Sequence, residues 1–205
     1  MTFKLAHAVT GAARIALIPA IFFVSGGCAQ QTNHVKYSAR PLDASQYAQL
    51  IATDRPADAY LRWKSQDSNT PLPQVQASDA AMSVTADPFD RGDTAAVQMG
   101  RSMYVAHCAA CHGANADGHG QIAGLNVDRM SFHNPHKSMY ITLFGHAPAN
   151  WFTTIQHGAV AASTTQPSTK VTMPAFENVL AREQIWLLVT YLEQETVHPG
   201  RAVTP

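Results

Sequence analysis

Cys108-Ala109-Ala110-Cys111-His112 brings two thiols and an imidazole within about one turn of chain. On a helical turn the thiols at 108 and 111 share a side, so each can add to one vinyl group of a single porphyrin. This is the spacing by which a c-type haem is attached. His112 then lies under the ring, where a neutral nitrogen can take an axial position on iron. Two other chemistries use such a thiol pair. A zinc ribbon needs a second Cys-x-x-Cys, and the one remaining cysteine is Cys28, far upstream. A thioredoxin-like dithiol needs a strand–helix–strand context, which the neighbouring sequence does not supply.

A chain of 205 residues allows one domain or two small ones. Its 14 basic and 14 acidic side chains cancel, which leaves no basic face for nucleic acid. With two cysteines assigned to haem and Cys28 to the leader described below, none remains for a disulfide. The fold then depends on its apolar core and on burying the porphyrin.

Two helices are expected to position the motif. Asp93-Thr94 starts the first, with Asp93 as cap, and Ala96, Gly100 and Tyr104 share one face. A mid-helix glycine costs roughly 1 kcal/mol relative to alanine, so Gly100 implies close approach by another helix. The partner lies near the C-terminus, where Ile185, Leu188, Val189 and Leu192 form a stripe flanked by Trp186 and Tyr191. Pro199-Gly200 ends it.

Residues 93–198 resemble a class I cytochrome c domain, with 199–205 as a short tail. The resemblance implies an all-α fold, a small helical bundle around one covalently bound haem c. In that family a glycine-containing first helix crosses a last helix bearing Leu-x-x-Tyr. Gly100 and Tyr104 match the first pattern, and Leu188 with Tyr191 the second. One departure is that Ala181 precedes the last helix where a capping side chain is usual; Asn178 could cap one turn earlier.

Met173-Pro174 follows about 60 residues after His112. Proline keeps the preceding residue extended, so a fixed strap can present a thioether to iron from the face opposite His112. The family places its distal ligand in this kind of Met-Pro context, which implies His112 and Met173 as the metal ligands. Met99 and Met103 lie too near the attachment motif to cross the haem; Met130 and Met139 are the fallbacks.

Gly113 to Gly120 reads as a turn-rich loop, similar to loops that follow the motif in many bacterial members of the family. Asn150 to Gly158 reads as a short helix stopped by glycine, with Trp151 and Ile155 against the porphyrin. Ala159 to Lys170 reads as a Ser/Thr-rich surface loop. His133 and His136 flank Pro135, whose extended spacing disfavours a shared metal-binding face; either could instead lie at the haem edge.

Residues 1–27 read as an export signal of the lipoprotein type. Lys4 and Arg14 are basic, and Ile15 to Val24 is an uncharged apolar run of ten, too short to span a bilayer. Ser25-Gly26-Gly27-Cys28 resembles the lipobox of bacterial lipoproteins, departing at Ser25, where leucine is usual. Lipidation at Cys28 would also remove an unpaired thiol from an oxidising compartment. Ala29 leaves either bacterial membrane open as the destination.

Residues 28–92 are rich in Gln, Ser, Asp, Ala and Pro and read as a tether. As a coil it would reach on the order of 45 Å. Two short segments, around Tyr47 and around Tyr60 to Trp63, carry apolar side chains at helical spacing. The competing reading is therefore an arm docked on the haem domain or on a partner.

The expected function is one-electron transfer between redox partner proteins in a respiratory chain, from a lipid anchor on the periplasmic side of a membrane. No nucleophile or substrate pocket is discernible, so the chain does not read as an enzyme. One alternative is a fixed haem subunit of a quinol-oxidising or oxidase complex. Another is a haem-based sensor or small-ligand enzyme in which Met173 dissociates.

Overall fold

The computed structural model describes residues 34–67, 87–122, 130–134, 147–162 and 170–200. The chain is mostly helical. Helices α1 (Ala44–Leu50) and α2 (Pro56–Asp67) precede the long α3 (Thr94–His107) and the single turn α4 (Ala109–His112). Then come α5 (Ala147–His157), strands β1 (Ala159–Ala162) and β2 (Lys170–Met173), and the last helix α6 (Arg182–Val197). The all-α reading holds apart from one small antiparallel ribbon, in which Ala159 pairs with Met173 and Ala162 with Lys170. The ends of the expected 159–170 surface loop are thus strands.

Helix α3 begins where the sequence places it. Asp93 Oδ1 accepts from the N–H groups of Ala95 (3.1 Å) and Ala96 (3.3 Å), satisfying donors that a helix start leaves open. The α6 start differs from expectation, since Ala181 and not Asn178 is its N-cap. Alanine has no side-chain acceptor, so only the reciprocal half of a capping box forms: Ala181 N–H donates to Gln184 Oε1 at 2.8 Å.

Gly100 and α6 meet as the sequence requires. A Cβ built at position 100 would lie 2.0 Å from the Leu187 carbonyl oxygen and 2.8 Å from Tyr191 Cβ. The missing side chain lets the two backbones cross in near contact. The Tyr104 and Tyr191 rings pack beside this crossing, with centroids 5.1 Å apart.

Almost every α6 residue from Glu183 to Thr196 is buried, polar ones included. A helix buried all round needs neighbours on every side. Helix α3 covers one side, and α5 covers another by stacking Phe152 on Trp186 at 4.5 Å between centroids. The N-terminal segment supplies the rest, which corrects the tether reading for residues 34–67. Tyr37, Tyr47, Tyr60 and Trp63 are buried in the common core. Lys64 pairs with Glu183, and Ser102 Oγ donates to Leu42 O. The second oxygen of Asp93 accepts from Tyr37 N–H at 2.7 Å. Residues 34–67 are a docked arm, because their aromatic side chains find apolar partners and their polar groups find specific ones. Residues 68–86 lie outside the described residues.

Candidate haem-binding site

The attachment motif grows directly from the end of α3. Cys108 N–H donates to Tyr104 O at 2.8 Å, and His112 N–H donates to Cys108 O at 2.9 Å. One further helical turn therefore carries Cys108, Cys111 and His112 to the wall of a single cavity. The Tyr104 hydroxyl pins the far end of that turn by donating to Gly113 O at 2.7 Å. Burial, with a smaller contribution from Cys111, pushes the Cys108 thiol up to about 12. A redox dithiol works through a lowered thiol pKa, and Cys108 is shifted the other way.

The cavity has a volume of about 330 Å³ and largely apolar walls. Trp151, Thr154 and Ile155 of α5 form one wall, and Phe132 and Leu192 contribute to others. Met173 and Pro174 line it as well. Cys108, Cys111, His112, Trp151, Ile155, Met173 and Pro174, all singled out from the sequence, surround this one space together with Tyr104. Cys28 and Met139 lie outside the described residues.

His112 Nδ1 lies 2.9 Å from the Met130 carbonyl oxygen. A carbonyl only accepts, so the ring carries its proton on Nδ1 and its lone pair on Nε2. That tautomer is the one a metal at Nε2 requires, and the carbonyl also orients the ring. Phe132 packs on the imidazole at 5.4 Å between centroids, and the edge of Trp151 meets Phe132 at 5.3 Å. The same hydrogen bond sets the Met130 backbone behind His112. Met99 and Met103 are buried on α3.

Met173 ends β2 on a tightly held strap. Gly158, at φ +74°, stops α5 and lets the strap pass so closely that a Cβ there would meet Met173 O at 2.4 Å. Beyond Pro174, Phe176 N–H donates to Ile155 O at 3.1 Å and to Gln156 O at 3.2 Å. Two thiols, an imidazole in the metal-binding tautomer, a thioether and aromatic walls around one cavity fit a haem. Sequence reasoning missed His107, Phe132 and Phe176, which also line it. The position of His107 directly before Cys108 was the one available signal.

Residues 95–192 match the family model described as "Cytochrome C oxidase, cbb3-type, subunit III". Residues 95–192 form a class I cytochrome c domain. No match to a curated protein or to a solved structure was found. The cytochrome c domain takes haem c as its cofactor and has electron transfer as its chemistry. Helices α1 and α2 precede the matched residues and are an addition packed onto the cytochrome c domain. Among the described residues no helix is long and apolar enough to cross a membrane.

Proposed function

We propose that the chain is a one-electron carrier holding a single haem, with Cys108 and Cys111 as thioether attachment sites and His112 and Met173 as iron ligands. The observation that carries this reading is the placement of all four side chains around one apolar cavity. The haem supplies the one-electron couple. The protein's share is to fix both ligands, keep water from the ring and set the preferred oxidation state. Met130 O holds His112 in its ligating tautomer, and the strap packed on Gly158 holds Met173. A thioether ligand and an apolar surround both favour the ferrous form, which raises the potential. With haem bound, the chain would take one electron from a donor protein and pass it to an acceptor protein, and His112 and Met173 would be the residues that hold the iron.

The anchor completes the reading. Residues 1–27 are removed, and Cys28 carries acyl chains that hold the cytochrome c domain at the periplasmic side of a bacterial membrane, in a respiratory chain. More than one chain is needed, because a single acyl chain binds only marginally. Replacing Cys28 by serine should release the protein into the soluble fraction, and fatty-acid labelling should be lost with it.

A second reading is favoured by the description of the matching family model, which names an oxidase subunit. The cytochrome c domain would then be a fixed relay within a larger complex. Mild detergent extraction separates the two: a carrier elutes as a monomer, whereas a subunit co-purifies with its oxidase.

The ligand assignment is tested by absorption spectra of the oxidised and reduced protein. The ferric form should show the weak long-wavelength band of thioether-ligated haem, and Met173→Ala should abolish it. A high-spin ferrous spectrum that shifts at once with carbon monoxide would instead mean an open iron, and would bring forward the sensor or small-ligand enzyme. Single Cys108→Ala and Cys111→Ala variants should each keep one thioether, and the double variant should lose haem on a denaturing gel.

A further inference from the structure

Tyr47 lies between two polar groups in the core. Gln184 Nε2 donates to its hydroxyl oxygen at 3.1 Å, and that oxygen is 3.2 Å from His107 Nε2. The amide orientation is fixed, since Gln184 Oε1 already accepts from Ala181 N–H. An amide nitrogen can only donate, and the tyrosine hydrogen finds an acceptor when the imidazole carries its lone pair on Nε2. Burial holds His107 below its usual range, in keeping with a neutral ring.

His107 also lines the haem cavity, and its ring meets Phe176 of the strap edge-on at 6.2 Å between centroids. A second link runs from α2, where Ala57 N–H donates to Val179 O at 2.9 Å. The arm therefore reaches the segment after Met173 at two points, once through His107 and Phe176 and once directly at Val179. The strap is also held by β1 and by the α5 carbonyls of Ile155 and Gln156.

We infer that residues 43–67 form a clamp on the Met173 strap, with Tyr47 as a positioning residue that acts through His107. This rests on the proposed ligation by Met173. A thioether brings no charge to the iron, so its retention depends on how firmly the strap is held. The clamp lies in a part of the chain outside the matched residues 95–192. It makes the arm a determinant of how often the iron opens to outside ligands.

The test uses the full-length ferric holoprotein and imidazole as the probe. The rate at which imidazole removes the long-wavelength thioether band should rise about tenfold in Tyr47→Phe, the effect of losing one buried hydrogen bond. Amide exchange at Phe176 should quicken in parallel. His107→Leu should behave like Tyr47→Phe and carries the test if that variant does not fold. Thr190→Val weakens the core away from the strap and should leave the rate unchanged. A wild-type rate in Tyr47→Phe, or an equal rise in Thr190→Val, would overturn the clamp while leaving the ligand assignment intact. Absence of the band from the wild-type protein would overturn the ligand assignment and the clamp with it.

Discussion

Thr190 Oγ1 lies 3.0 Å from Asp87 Oδ2, joining the middle of α6 to the segment that leads into α3. The same hydroxyl oxygen is 2.9 Å from the Trp186 carbonyl. The Thr190 hydroxyl donates toward both acceptors, and its bond to Asp87 favours the carboxylate, against the larger effects that follow. Burial and the neighbouring Glu193 push Asp87 well above the usual carboxylate range, and burial pushes Glu193 from 4.5 up to about 7.

A pH dependence follows. Carboxyls whose folded pKa is raised bind protons that the unfolded chain has already released, so stability falls as pH rises. The decline should begin near pH 4 and run through about 7, the folded value of Glu193. Its size for Glu193 alone is on the order of 3 kcal/mol. Urea unfolding at pH 5 and pH 8 measures it. Glu193→Gln should flatten the profile and raise stability at pH 8; an unchanged slope in that variant would remove the pair as the cause.

Gly100→Ala reverses an ordinary rule. In an exposed helix this change gains roughly 1 kcal/mol. Here the added methyl would fall 2.0 Å from Leu187 O, against backbone that cannot move without separating α3 from α6. The expected net loss is about 3 kcal/mol, at the upper end for overpacking. A neutral or more stable variant in urea unfolding would show that the helices cross with room to spare.

Gly158→Ala should disturb the ligand strap more than the core. A non-glycine residue in the left-handed region costs roughly 1–2 kcal/mol, and its Cβ would also collide with Met173 O. The ferric long-wavelength band is expected to weaken or disappear while α3 and α6 stay folded by circular dichroism. A band of full strength with an unchanged melting temperature would contradict this.

What could be read from the sequence is what is local in the chain. Cys108 to His112 lie on adjacent turns, Pro174 constrains its immediate neighbour Met173, and Gly158 stops the helix just before it. Gly100 was legible for a different reason, because a helical glycine demands a long-range explanation. The arm was not. Helix α1 has seven residues, too few to be stable alone, and its support comes from α3 and α6. Its Pro- and Gln-containing surroundings resemble a linker, while Tyr47 and Ala57 find Gln184 and Val179 more than a hundred positions later. The strands are only four residues long, too short to show a clear alternation, and the His112 hydrogen bond to Met130 uses a backbone carbonyl that no side-chain pattern announces.

The pairing of Tyr47 with Gln184 spans 137 positions, and this imposes an order on assembly. A chain made from its N-terminus presents the arm long before α6 exists to receive it. The two thiols and His112 are complete at an intermediate point, yet the wall beside His107 is finished by the last helix to be made. A chain interrupted ahead of α6 would therefore carry every group needed to capture a porphyrin and lack the parts that close around it. Closure of the cavity, and not the presence of its thiols and imidazole, is what waits for the final helix.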